Sequence, residues 1–107
     1  MRKPHALTRL PQRSIDSVSL LLGSPARWTM LYELARHDLV SVTHLASTCG
    51  LSPSATSMHV RVMKKTGIIE QGMGRLYRLT PAYRPAPGQD YLDLGPCRLM
   101  LPPPNNE

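Results

Sequence analysis

Two cysteines in 107 residues are too few for a disulfide framework, and no apolar run is long enough to cross a bilayer. The start MRKPHALTRLPQR is basic like the beginning of a signal peptide, but the apolar stretch that should follow extends only from Val18 to Leu22. That stretch is broken by Ser19 and ended by Gly23. Cys49 and Cys97 are therefore expected to be reduced thiols in a cytoplasmic protein with no membrane segment. Catalytic constellations are missing as well. There is no helix with paired carboxylates, no phosphate-binding glycine loop and no nucleophile elbow, and the acids stand singly. No enzyme is expected.

Acidic residues are scarce: 7 Asp plus Glu stand against 13 Lys plus Arg, a net charge of +6 that favours a polyanionic partner. The excess lies in two places. Residues 1–13 carry Arg2, Lys3, Arg9 and Arg13 with no acid, and residues 51–84 carry Arg61, Lys64, Lys65, Arg75, Arg78 and Arg84 against Glu70. Between them and after them, residues 14–50 and 85–107 are slightly acidic.

A chain of this length fits one domain with a modest core. Helix punctuation is legible from residue 14 onward. Ser14 can cap a short helix with Ile15, Val18, Leu21 and Leu22 on one face, stopped by Gly23. Ser24 and Pro25 are an N-cap and a first helical proline, opening a helix to about Arg36 with Trp28, Leu31, Tyr32, Leu34 and Ala35 as its buried stripe. A third helix starts at Ser41 or Val42 and runs to Cys49, with Gly50 as the turn. Leu51 then plugs the core, and Ser52 and Pro53 open a fourth helix that reaches Thr66 before Gly67.

After Gly67 the period changes. Ile68 to Gln71 and Arg75 to Leu79 read as two strands around Gly72-Met73-Gly74. Prolines make 81–88 a loop, Tyr91 to Leu101 is an extended segment interrupted at Gly95-Pro96, and the end PPPNNE is expected to be disordered. The expected organisation is a basic N-terminal arm (1–13), a folded domain (14–80), and a proline-rich loop with a possible dimerisation strand and tail (81–107).

Helix, short glycine turn, helix and basic hairpin, in that order, describe an α+β, mostly α, winged helix-turn-helix with four helices, a two-stranded wing and an extended C-terminal segment. In that fold the second helix of the pair enters the major groove of DNA. Residues 21–79 further resemble the arsenic-repressor-like (ArsR-type) family. The resemblance rests on Pro25-Ala26-Arg27, Ser41-Val42-Thr43-His44-Leu45-Ala46, Leu51-Ser52-Pro53-Ser54 through Ser57-Met58-His59-Val60, Gly67-Ile68-Ile69 and Gly74-Arg75-Leu76-Tyr77-Arg78-Leu79. It implies a homodimeric repressor on an inverted-repeat double-stranded DNA operator.

On the fourth helix Thr56, Val60 and Met63 follow the 3, 4 spacing of a core face, which leaves Ser54, Ser57, Met58, Arg61, Lys64 and Lys65 outside. Serine hydroxyls can bond bases or phosphates, Met58 can touch thymine methyls, and Arg61 can grip guanine or a phosphate. Lys64 and Lys65 either meet DNA or simply solvate a helix end whose dipole they favour. The resemblance gives His59 a phosphate contact, and a hydrogen-bonded structural role stands beside it. Arg75, next to the hairpin tip, either enters a narrow minor groove or is a solvated hairpin arginine.

The resemblance implies metal ligands that this chain does not offer. Ser41 and Thr43 occupy the positions of the family's thiolate pair, and neither is a useful soft ligand. His37, His44, Cys49 and Cys97 form no tight C-x-x-C or H-x-x-x-H spacing. The expectation is a protein with no metal and no cofactor. Family members dimerise through their first and last helices. Here the last is missing, so Tyr91, Leu92, Leu94, Leu99 and Leu101 are the apolar residues available to replace it. The alternative function is a winged-helix module that binds protein, or nucleic acid without sequence preference, because the fold does not fix the ligand.

Overall fold

The computed structural model describes residues 15–102. The capping role of Ser14, the basic arm and the end of the tail lie outside the described residues.

The chain opens with α1 (Ile15–Leu22) and α2 (Pro25–Arg36), joined by two residues. So abrupt a reversal needs Gly23, because a Cβ there would stand 2.9 Å from the Ser19 carbonyl oxygen. The turn exposes carbonyls at the end of α1, a helix with no basic residue in its last turn. Side chains of α2 cover them. Arg27 Nε donates to the Leu20 and Leu21 oxygens at 3.1 and 3.0 Å, its Nη2 donates to Leu20 at 2.7 Å, and Trp28 Nε1 donates to Leu22 at 2.6 Å. This explains two departures from the expected apolar faces. Trp28 lies at the surface with its indole tied to α1, and Met30 joins Leu31 and Leu34 in the core instead. Ile15, expected on the buried face of α1, is 72% exposed, while Val18 and Leu21 are buried.

A two-residue strand β1 (Val40–Ser41) precedes α3 (Val42–Cys49), and the Ser41 hydroxyl caps α3 by accepting from the His44 amide at 3.0 Å. Gly50, at φ 69°, takes the left-handed turn conformation that a side chain would resist. The Ser52 hydroxyl then accepts from the Ala55 amide to open α4 (Pro53–Lys65). Thr56, Val60 and Met63 are buried along α4, as the spacing predicts. The helix stops at Thr66, a buried threonine whose hydroxyl donates to the Met63 oxygen at 2.6 Å.

The wing consists of β2 (Ile69–Gln71) and β3 (Leu76–Leu79), antiparallel with Ile69 opposite Leu79 and Gln71 opposite Tyr77. Beyond the expected pair, β1 adds to the far edge of β3, Val40 opposite Tyr77, so the sheet order is β1-β3-β2. Two residues carry too short a period to be read as a strand in advance. A 3-10 turn (Pro81–Tyr83) follows within the proline-rich loop and buries Tyr83.

The C-terminal segment is a hairpin. Its interruption at Gly95-Pro96 is a reversal that pairs β4 (Tyr91–Asp93) with β5 (Arg98–Met100), Leu92 opposite Leu99. Leu92, Leu94 and Leu99 belong to the same core as Leu21, Leu31, Leu45 and Met63. Their apolar surface is therefore covered by the chain itself, which leaves the half-buried Tyr91 and Leu101 as the members of the expected set still partly open to solvent. Among the described residues no helix is long and apolar enough to cross a membrane.

Placing the hairpin in the core has a measurable consequence. Leu94→Ala removes a fully buried side chain and should cost about 2 to 5 kcal/mol in urea unfolding. Met100→Ala, at a position 59% exposed, should stay within about 0.5 kcal/mol. Equal effects would mean that the hairpin does not contribute to the core.

Candidate nucleic-acid interface

Because Thr56, Val60 and Met63 face inward, α4 turns Ser54, Ser57, Met58, Arg61, Lys64 and Lys65 to solvent. All six are exposed, and their 3, 4 spacing sets them along one stripe of the helix. Met58, at 60% exposure, is the apolar member. The stripe borders an open groove of about 310 Å³ lined by Val42, Ser57, Val60, Arg61, Lys64 and Tyr77, where α4 meets β3 and the start of α3. Lys64 Nζ sits 5.8 Å from the centre of the Tyr77 ring, a cation–π distance that holds the ammonium over the groove.

Arg75 stands exposed beside the wing tip. The tip is closed by Gly72 N–H donating to the Leu76 oxygen at 2.7 Å and by Gln71 Nε2 donating to the Gly74 oxygen at 2.7 Å, and Met73 projects from it with 77% exposure. Sequence reasoning passed over Met73. Its place between two glycines at a hairpin tip was the signal available.

Charge pairing separates the cations of this region. Arg78 Nε donates to Glu70 Oε2 at 2.8 Å across β2 and β3, and Arg84 pairs with Asp38. Among the described residues Arg61, Lys65 and Arg75 have neither an acidic nor a hydrogen-bonding side-chain partner. The positive charge on the face formed by α4 and the wing is thus uncompensated.

His59 lies at the half-buried edge of α4, with Nδ1 2.9 Å from Arg27 Nη1. A guanidinium can only donate, so Nδ1 is the acceptor and the ring proton resides on Nε2. Desolvation first, and the Arg27 charge second, push the imidazole below its ordinary 6.5. The hydrogen-bonded role of His59 is therefore present. Arg27, which sequence reasoning took only as part of a helix start, is its anchor.

Away from this face, Cys49 is half-buried with its thiol directed at the Ala26 oxygen, and burial followed by the nearby Glu33 charge raises its pKa. Such a thiol is a weak nucleophile. Cys97 is exposed in the C-terminal hairpin turn. A group that sequence spacing did not announce gathers at the end of α2, where Glu33 lies within reach of both His37 and His44.

A helix pair joined by a glycine turn, a hairpin wing and an unpaired basic stripe define a winged helix-turn-helix with the surface of a DNA-binding protein. Residues 24–74, just under half of the chain, match the model of the MarR family. The match spans the start of α2 to the wing tip and supports a winged-helix, DNA-binding transcriptional regulator, a class of binding proteins rather than enzymes. It does not single out the arsenic-repressor-like type. No curated protein matches the chain.

The His59 contact fixes the sign of a pH effect. Its proton affinity is lowered in the folded chain, so the unfolded chain binds the proton first as pH falls. This contribution should leave stability undiminished above 6.5 and erode it as pH drops below that value, until folded His59 itself is protonated. In NMR titration the His59 ring should titrate below 6.5, and His59→Gln, which can still accept from Arg27, should flatten the stability profile in that range. An unchanged profile would contradict the assignment.

Proposed function

We propose that the chain is a sequence-specific double-stranded DNA-binding transcriptional regulator, a cytoplasmic repressor acting as a homodimer on an inverted-repeat operator. The observation that carries this reading is the uncompensated stripe on α4 beside the wing. In the proposed docking α4 lies in the major groove. Ser54, Ser57, Met58 and Arg61 reach base edges or adjoining phosphates, while Lys64 and Lys65 meet the backbone near the helix end. His59 offers its Nε2 proton to a phosphate, and Arg75 enters the flanking minor groove or meets its phosphates. The likeness to the arsenic-repressor-like family supports the repressor role and the dimer. Exposed Ile15 and Leu20 on α1 are apolar surface suited to a second copy, now that the C-terminal leucines are engaged within the chain.

Separating the helix from the wing tests the docking. If Arg61 reads a base edge, Arg61→Ala should cost about 1 to 3 kcal/mol on the preferred site and much less on random DNA. Arg75→Ala should weaken both kinds of DNA more evenly and reduce the salt slope by about one unit. Binding isotherms at several salt concentrations, on specific and unrelated duplexes, read both patterns. Wild-type binding by both variants would overturn the docking in favour of a protein-interaction or non-specific module.

A further inference from the structure

The last turn of α2 and the first turn of α3 bring three metal-ligating side chains to one point. Glu33 stands in the last turn of α2, His37 is the extended C-cap residue four positions on, with its N–H donating to the Glu33 carbonyl, and His44 arrives from α3 across the link that contains β1. Glu33 Oε1 lies 3.5 Å from His37 Nε2 and 2.9 Å from His44 Nε2, and the three ligand atoms are all within 4.8 Å of one another. The imidazoles meet edge to face, with centroids 5.5 Å apart and planes at 79°. Both rings turn the same nitrogen to the same carboxylate oxygen.

We propose that Glu33, His37 and His44 form a three-ligand site for a borderline divalent transition-metal ion of the zinc class, with water as its fourth ligand. Two imidazoles and a carboxylate are a donor set that suits zinc, and ligand atoms about 2.0 to 2.2 Å from a tetrahedral ion lie roughly 3.4 Å apart. The present spacings lie on either side of that value, and closing the site takes side-chain rotation together with loss of the proton that His44 Nε2 donates to Glu33 Oε1. That proton is released to solvent as the ion binds, while the ring keeps a proton on Nδ1. Each imidazole binds through the Nε2 lone pair and carries its proton on Nδ1. The other carboxylate oxygen, Oε2, is 3.7 Å from Arg36 Nη1, which favours monodentate binding through Oε1. The Glu33 side chain is 13% exposed and the two histidines 49% and 46%, so the carboxylate is held against the protein while the entry side stays open to solvent. Ser41, whose hydroxyl caps α3, and Thr43 take no part. The ion would tie α2 to the first helix of the helix-turn-helix pair, and the site does not depend on the DNA-binding reading.

The test uses the full chain, stripped with chelator and titrated with zinc by calorimetry and with cobalt by absorption. One ion should bind per chain, with cobalt bands of a nitrogen–oxygen site and no thiolate charge-transfer band. His37→Ala and His44→Ala should each weaken zinc binding at least about tenfold, because loss of a direct ligand costs no less than loss of an outer partner. Zinc should raise the thermal midpoint of the wild type and of Cys97→Ser, but not that of the His37→Ala/His44→Ala double variant, whose far-ultraviolet dichroism reports that it is folded. Absence of zinc binding, zinc binding undiminished in the double variant, or a thiolate band with cobalt would each overturn the proposal.

Discussion

The guanidinium of Arg27 donates to the Leu20 and Leu21 carbonyls that end α1 and reaches Nδ1 of His59 on α4, so one side chain on α2 orients two other helices. Cationic donors at a helix C-terminus satisfy carbonyls left without intrahelical partners and meet the negative end of the helix dipole. The contact with His59 adds a constraint from outside the core to the one imposed within it by Thr56, Val60 and Met63. Between them the rotation of α4 about its axis is set, and with it the identity of the residues presented to solvent.

That rotation determines the electrostatics. Of the cations in residues 51–84, Arg78 pairs with Glu70 across β2 and β3, and Arg84 pairs with Asp38, just past the end of α2. Arg61, Lys64 and Lys65 on the outer face of α4, with Arg75 on the wing, retain their charge for an external anion. Net charge alone indicates a polyanion. It is the separation of paired from unpaired cations that gives the surface a direction, with a helix stripe on one side and a hairpin tip on the other.

Much of this was legible in the sequence where local chemistry dominates. Ser-Pro pairs at 24–25 and 52–53 mark two helix starts, Gly50 marks the turn, and the 3, 4 spacing on α4 sorts inside from outside. Ser24 caps by position alone, for its side chain makes no capping hydrogen bond. What escaped depends on partners distant in sequence. β1 exists because β3 pairs with it, and the C-terminal leucines are buried because the hairpin folds onto the helices. Trp28 gave up its place in the core for a carbonyl on α1. Likewise His59 meets Arg27 from 32 residues away, and Glu33 meets His44 from 11. No short motif encodes such meetings.

Amide chemical-shift mapping most directly tests whether α4 and the wing together hold DNA, as proposed. Adding a duplex containing the preferred site, selected from a random pool, should shift the amides of Ser54, Ser57, Met58 and Arg61 together with those of Gly74 and Arg75. The amides of β4 and β5 should stay in place. Shifts confined to α1 and the surface around Trp28, or no shift when duplex is added, would contradict the account.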